Sequence, residues 1–100
     1  MMIEDQKPVI LSIVIPTKNR QKYALAAVES VLRLDVPDCE IELIVRDCSD
    51  DQSLRELLIN KFGCDGKYNY IYDPSKPSMT ENWDLAFSQT SGIYVCGIGD

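Results

Sequence analysis

The hydrophobic pattern opens with a short apolar run at residues 9–15, which reads VILSIVI and has one polar position, Ser12. A run of this length that is rich in β-branched side chains favours a strand and is too short for an ordinary helix. Because the run has no polar face, it predicts a central strand covered on both sides, as in parallel sheets. Pro16 lacks a backbone donor, so we expect the sheet ladder to stop there.

Six further elements follow from changes of period along the chain. Apolar residues at helical spacing predict helices at about 20–34, 50–62 and 79–90, and β-rich runs predict strands at about 41–46, 68–73 and 93–98. Two S-x-x-[QE] sequences, which begin at Ser49 and Ser78, are typical of capping boxes. Asn19 is expected to cap the first helix. The order β-α-β-α-β-α-β predicts an α/β fold with an open, mainly parallel sheet and helices on both faces.

Aromatic residues add one ambiguity to this pattern. Tyr68, Tyr70 and Tyr72 alternate along the third strand and therefore share one face. Such a stripe can stack on a nucleobase, but packing against a helix is its more common role. Trp83 lies on the apolar face of the third helix and is expected in the core.

Residues 1–100 are sufficient for one domain. The fourth predicted strand is not followed by a covering helix, so we expect the sequence to be the N-terminal part of a larger domain. The face that the remainder would cover should be apolar, and self-association through it is expected.

Composition excludes several functions. A net charge of −6 with scattered basic residues argues against a nucleic-acid partner. The absence of histidine excludes Ser-His-Asp and Cys-His catalysis within these residues. The four cysteines have no close-pair spacing, which argues against zinc and favours free thiols. No signal peptide or membrane span is evident, so a cytoplasmic location is predicted, with the cytoplasmic face of a membrane as an alternative.

The polar loop at residues 16–20 follows the first strand, where open α/β sheets place their ligands. Its sequence, PTKNR, contains no glycine, which excludes a Rossmann dinucleotide motif at this position. A P-loop is absent from the whole chain. The loop is basic, whereas a phospho-receiver domain needs an acidic cluster there.

Three segments together resemble the nucleotide-sugar-binding half of family 2 glycosyltransferases, which have the GT-A fold. They read LSIVIPTKNR, IELIVRDCSDD and MTENWDLAFSQTSGIYVCGIGD. The first is similar to the family's strand followed by P-T-[YF]-N-R, and the second to its D-G-S-x-D turn. The third is similar to the segment that leads into the family's metal-binding D-x-D motif. Two positions depart from the family pattern: Lys18 replaces an aromatic residue, and Cys48 replaces glycine or asparagine.

The resemblance implies a donor-binding role for one set of residues: Pro16, Thr17, Asn19, Arg20, Asp47 and Asn82. Asp47 would accept a charge-assisted hydrogen bond from the ring N–H of a uracil-type base. Structural alternatives stay open, because Asp47 suits a turn. Asn19 and Arg20 suit a helix cap and a surface charge, and Asn82 suits a solvated first helical turn.

The resemblance also implies a nucleotide-diphospho-sugar donor, with UDP favoured, and Mg²⁺ or Mn²⁺ as cofactor. Asp100 would be the first carboxylate of the metal motif, or alternatively a frayed terminus. No catalytic base is identified, so the chain alone is expected to be inactive. The parent enzyme would transfer a sugar to a hydroxyl of a saccharide, lipid or protein acceptor. Two alternatives remain: a sugar-phosphate nucleotidyltransferase, and a non-catalytic α/β module that binds a nucleotide or a partner.

Overall fold

The computed structural model describes residues 9–34, 41–63 and 67–99. Its elements are β1 (Leu11–Thr17), α1 (Gln21–Leu32), β2 (Ile41–Asp47), α2 (Ser53–Phe62), β3 (Asn69–Tyr72), α3 (Met79–Ser88) and β4 (Tyr94–Gly97). Every predicted strand and helix is present, with ends that differ from the prediction by a few residues. None of the described helices is long and apolar enough to cross a membrane.

The strands form one sheet in the order β3-β2-β1-β4, and every pair in it is parallel. The predicted α/β fold with an open parallel sheet is therefore confirmed. β1 is central, as predicted, and its residues 12–17 are buried. In the register of the sheet Thr17 lies opposite Asp47, and Asp47 lies opposite Tyr72. The carboxyl ends of β1, β2 and β3 thus meet along one edge of the sheet.

The prediction that the ladder stops at Pro16 is wrong, because β1 continues through Pro16 to Thr17. Pro16 lies opposite Arg46 of β2. The carbonyl of Thr17 faces β2, where it accepts from the backbone N–H of Cys48, whereas the carbonyl of Val14 faces the β4 side. Residues two apart in a strand face the same way, so the nitrogen of Pro16 also faces the β4 side. The pairing of β1 with β4 ends at Val14, and the missing donor therefore breaks no ladder bond.

Two apolar layers hold the helices to the sheet. On one face, side chains from β1 and β2 pack against α1 and α2; this cluster contains Ile13, Ile15, Ala24, Val28, Val31, Leu43, Val45, Leu54 and Leu58. On the other face, Val14 and Ile44 pack against Ala86 of α3, with Trp83 partly buried beside them. Alternate residues of β1 and β2 therefore serve opposite layers, which explains why neither strand has a polar face.

Helix starts differ from the predicted caps in two of three cases. Asn19 does not cap α1, because Arg20 is the N-cap residue and makes no side-chain cap bond. Ser49 does not begin a capping box either, since α2 starts at Ser53 and the Ser49 hydroxyl donates to a carboxylate instead. The third prediction is confirmed: Ser78 forms a complete capping box with Glu81 at the start of α3.

β4 is an exposed edge strand. Ile93 and Tyr94 have exposed fractions of 68% and 67%, so a contiguous apolar segment faces solvent in the described chain. The face of β4 that meets α3 is tightly packed at Gly97, where a Cβ atom would lie 2.1 Å from Cζ3 of Trp83. A side chain at Gly97 would therefore force the rings of Trp83 and Phe87 to move.

We expect Ser78→Ala to lower the free energy of unfolding by about 1 kcal/mol, because it removes the acceptor for the Glu81 N–H. Urea denaturation measures the change. Ser88→Ala, at the other end of α3, is the matched control and should change the free energy by less than about 0.5 kcal/mol. Equal losses in the two variants would contradict the capping role.

Candidate functional site

A fully buried carboxylate lies at the centre of the carboxyl edge. Asp47 ends β2, and its side chain has no exposed surface. Oδ1 accepts from the backbone N–H of Ser49 at 3.0 Å and from the Ser49 hydroxyl. Oδ2 accepts from the hydroxyl of Tyr70 at 2.6 Å. These donors satisfy a group that would be costly to bury without partners.

The tyrosine stripe formed by Tyr68, Tyr70 and Tyr72, at and just before β3, supplies hydroxyl donors to its surroundings. Tyr68 donates to the carbonyl of Gly63 at 2.6 Å, and Tyr72 donates to the carbonyl of Ser49 at 2.9 Å. The rings of Tyr68 and Tyr70 pack against the core that α1 and α2 share with the sheet. The prediction that the stripe packs against helices is confirmed for these two rings. Tyr70 and Tyr72 in addition hold the turn that follows β2.

The loop after β1 is joined to the same turn. The backbone N–H of Asn19 donates to the Ser49 hydroxyl oxygen at 2.7 Å. The Asn19 amide and Asp50 bond reciprocally, with Nδ2 donating to Oδ2 at 3.2 Å and Oδ1 accepting from the Asp50 N–H at 2.9 Å. Asn19 has a φ of 55°, a left-handed conformation that asparagine tolerates better than most residues.

Asp50 also connects the loop before α3 to this cluster. Lys76, which has a φ of 56°, donates to Asp50 Oδ1 at 3.0 Å. The hydrogen bond and charge of Lys76, followed by the bond from Asn19, lower the pKa of the exposed Asp50 carboxyl. Loops after β1, β2 and β3 therefore meet at one surface carboxylate.

The other predicted residues of the first loop differ in exposure. Pro16 and Thr17 are buried, so only Lys18, Asn19 and Arg20 present side chains to solvent. The Arg20 guanidinium lies 4.4 Å from the ring centroid of Tyr23, a cation–π arrangement. The structure thus brings Thr17, Asn19 and Asp47 together through the turn after β2. It places Arg20 at the outer rim of the loop.

A second polar cluster lies on the α3 side of the sheet. The buried guanidinium of Arg46 donates to Asp73, which follows β3. Asn82 is also buried, so the alternative of a solvated helix position is wrong. Its Nδ2 donates to the carbonyl of Arg46 at 3.4 Å. Two buried atoms of this cluster have no hydrogen-bond partner among the residues that the structure describes: Nε of Arg46, a donor, and Oδ1 of Asn82, an acceptor.

The predicted metal ligand Asp100 lies outside the described residues. Within residues 9–34, 41–63 and 67–99, no three His, Cys, Asp or Glu side chains cluster closely enough to hold a metal ion. Of the cysteines in these ranges, Cys48 and Cys96 are free thiols, as predicted, and burial raises the pKa of Cys48. Cys39 and Cys64 also lie outside the described residues.

Comparison with known proteins identifies the family. The family described as "Glycosyl transferase family 2" matches residues 12–100. This chain is 32% identical over 91 residues to WcaA of Escherichia coli (strain K12), which is described as a colanic acid biosynthesis glycosyl transferase. The chain belongs to glycosyl transferase family 2. The match to WcaA covers 91% of this chain and 32% of that protein.

Solved structures agree with this assignment. The crystal structure of S. aureus TarS 1-349 aligns with a TM-score of 0.71 and 26% sequence identity, over 91% of this chain and 27% of that chain. A second S. aureus TarS crystal structure aligns equally well and is covered to 16%. The predicted GT-A type of fold is confirmed. The family 2 chain spans about a third or less of the length of these proteins.

The sequence of this family 2 domain points to Asp47 but not to most of the polar side chains around it. Its pattern predicts packing for Tyr70 and a helix cap for Ser49, and it places Arg46 and Asp73 only at the ends of predicted strands. The even spacing of the tyrosines was a usable signal, since a buried tyrosine hydroxyl needs an acceptor. The arginine at position 46, directly after the β-branched residues of its strand, was another, because a buried guanidinium needs a carboxylate nearby.

The ion pair generates a stability prediction. We expect Asp73→Asn to lower the free energy of unfolding at pH 7 by about 1–2 kcal/mol, because it leaves the buried Arg46 without its charged acceptor. Bonds from Ser75, and then the charge of Arg46, hold the pKa of Asp73 below its ordinary 3.8. The unfolded chain therefore binds more protons below about pH 4, so this part of the stability is lost on acidification.

Urea denaturation from pH 7 to pH 2.5 measures both effects. Asp84→Asn, on the exposed face of α3, is the control and should leave the profile close to that of the original chain. An Asp73→Asn variant with unchanged stability and the same acid profile would contradict the assigned role of the pair.

Proposed function

We propose that this family 2 domain binds the nucleotide part of a UDP-type sugar donor along the carboxyl edge of β1, β2 and β3. The enzyme to which it belongs would transfer the sugar to an acceptor hydroxyl. Family membership supports glycosyl transfer in general. The observation that supports the location is that the loops after β1, β2 and β3 meet at the exposed carboxylate of Asp50, in the turn that follows the buried carboxylate of Asp47.

The acceptor capacity of Asp47 supports a role toward the base. An ionised carboxylate can accept about four hydrogen bonds, and protein donors occupy both positions on Oδ1 and one on Oδ2. One position on Oδ2 is left over, and the ring N–H of a uracil-type base is the proposed donor. Because Asp47 is fully buried in this conformation, the covering groups must move as the base enters.

The residues of the first loop and Asn82 of α3 would contact different parts of the donor in this proposal. Pro16 and Thr17 are buried, so their contacts to the base and ribose would come from the backbone. Asn19 and Arg20 are exposed and would face the ribose and phosphates. Asn82 has its Nδ2 committed to Arg46, which leaves the acceptor Oδ1 for a ligand. An acceptor suits a ribose hydroxyl better than a phosphate oxygen, which cannot donate.

The metal remains a proposal that rests on the family resemblance. Mg²⁺ or Mn²⁺ bound by Asp100 together with diphosphate oxygens would fit the preference of these ions for few carboxylates and phosphate ligands. When bound, such a cation supplies charge neutralisation of the departing nucleoside diphosphate. None of the described residues is assigned to the chemical step.

The exposed edge strand supports a further part of the proposal, self-association through β4. Its N–H and C=O groups on the side away from β1 have no neighbouring strand in the described sheet, and apolar side chains flank them. Such edges pair readily with a second chain.

For the 100-residue chain, the average mass measured by sedimentation velocity should therefore rise with protein concentration. Val95→Lys should reduce this rise. A constant monomer mass for the original chain would exclude self-association.

We expect the protein, in its longest naturally encoded form and with Mn²⁺ present, to bind UDP by calorimetry. Asp47→Asn keeps the size of the side chain but replaces one acceptor oxygen with a donor, so it should weaken UDP by about tenfold or more. CDP, which has no ring N–H at the corresponding position, should bind the original protein more weakly than UDP does.

Asp84→Asn, on the exposed face of α3, is the matched control and should bind UDP as the original protein does. Equal UDP affinity in Asp47→Asn would exclude the base contact. Absence of binding of any nucleoside diphosphate to the original protein would exclude the donor site itself.

A further inference from the structure

A continuous chain of hydrogen bonds runs from β3 to the loop after β1. The Tyr70 hydroxyl donates to Oδ2 of Asp47, and the Ser49 hydroxyl donates to Oδ1 of the same carboxylate. The Ser49 oxygen then accepts from the backbone N–H of Asn19. Tyr70 and Ser49 thus donate to the same carboxylate, and Asn19 donates to Ser49, so the orientation of every group depends on its neighbours.

The first bond of this chain is held firmly. Tyr70 is the second residue of β3, and its ring packs against the core that α1 and α2 share with the sheet. Burial and the neighbouring Asp47 raise the pKa of the Tyr70 hydroxyl far above its ordinary value of 10.0. The hydroxyl therefore remains a proton donor throughout the neutral range, and Oδ2 of Asp47 always faces a donor rather than a second anion.

The last bond holds a strained residue. Asn19 adopts a φ of 55°, which costs about 1 kcal/mol for a residue that is not glycine. Its backbone N–H reaches Ser49, and its side chain reaches Asp50. Without the fixed Ser49 hydroxyl, one of the interactions that offset this cost is lost. The exposed side chains of Lys18, Asn19 and Arg20 would then sample other arrangements.

We propose that Tyr70 is a positioning residue of the nucleotide site, which acts through Asp47 and Ser49 to hold the loop at residues 18–20 in its ligand-binding conformation. The ligand-binding role of this loop conformation rests on the donor site proposed above, whereas the coupling between Tyr70 and the loop does not. A residue outside the loop, on β3 and with a ring that is only partly buried, thereby determines the geometry of the loop.

Tyr70→Phe tests the inference, because it removes one hydroxyl and keeps the packed ring. In the longest naturally encoded protein, amide hydrogen exchange of the segment around Asn19 should become about tenfold faster, as one charge-assisted bond is lost. UDP affinity should fall by a similar factor, and the preference for UDP over CDP should shrink. A purely structural role of the ring would change neither the exchange of this segment nor the preference.

The tyrosine stripe provides its own control. Tyr68→Phe removes a hydroxyl that donates to Gly63, so it should leave the exchange around Asn19 and the UDP preference unchanged. Ser49→Ala interrupts the chain at the next bond, and its effect should not add to that of Tyr70→Phe, since both variants break the same path. Additive effects would overturn the coupling.

The outcomes separate the two proposals. Unchanged exchange around Asn19 in Tyr70→Phe overturns the positioning role, whatever the protein binds. Faster exchange in a protein that binds no nucleoside diphosphate retains the coupling and overturns the donor site, and with it the ligand-binding part of the inference. Faster exchange together with higher UDP affinity would mean that Tyr70 competes with the ligand for Asp47, and would also overturn the positioning role.

Discussion

The buried carboxylate of Asp47 imposes the main constraint on the carboxyl edge of this domain. A carboxylate without solvent access must be met by donors, because removing its hydration is costly. The donors come from the turn after β2 and from β3. One of them, the Ser49 hydroxyl, also accepts from the backbone N–H of Asn19 in the loop after β1. The loop after β1 is therefore joined, through Ser49, to the carboxylate at the end of β2.

The parallel sheet makes this arrangement possible. Its register aligns the ends of β1, β2 and β3, so that side chains from distant parts of the sequence meet without long loops. Because successive residues of a strand face opposite ways, Asp47 enters the layer of α1 and α2, while Arg46 enters the layer of α3. Each layer thus ends in its own polar cluster. The Arg46 cluster retains two buried atoms without a hydrogen-bond partner among the described residues, whereas both oxygens of the Asp47 carboxylate have donors.

Sequence reasoning succeeded where the determining contacts are local. Hydrophobic period located every strand and helix, and the Ser78 capping box involves residues only three apart. It failed where a polar atom has more than one possible partner. Ser49 has the local sequence of a cap, but its hydroxyl donates to the carboxylate of Asp47, and its oxygen accepts from the backbone N–H of the distant Asn19. The predicted end of the β1 ladder at Pro16 is wrong for a related reason. The side to which the Pro16 nitrogen points matters only through the strand that pairs with β1 on that side, and the sequence does not show that pairing.

The same limit applies to the assignment of function. Family membership and the position of Asp47 could be recognised from motifs, since motifs are runs of neighbouring residues. The bond between Tyr70 and Asp47 joins residues 23 positions apart and depends on the register of two strands. A loop held in place before its ligand arrives has less conformational freedom to lose on binding, which favours affinity without any additional contact. In this domain that preorganisation would originate in β3, so residues that never touch the donor would help to decide how well it binds.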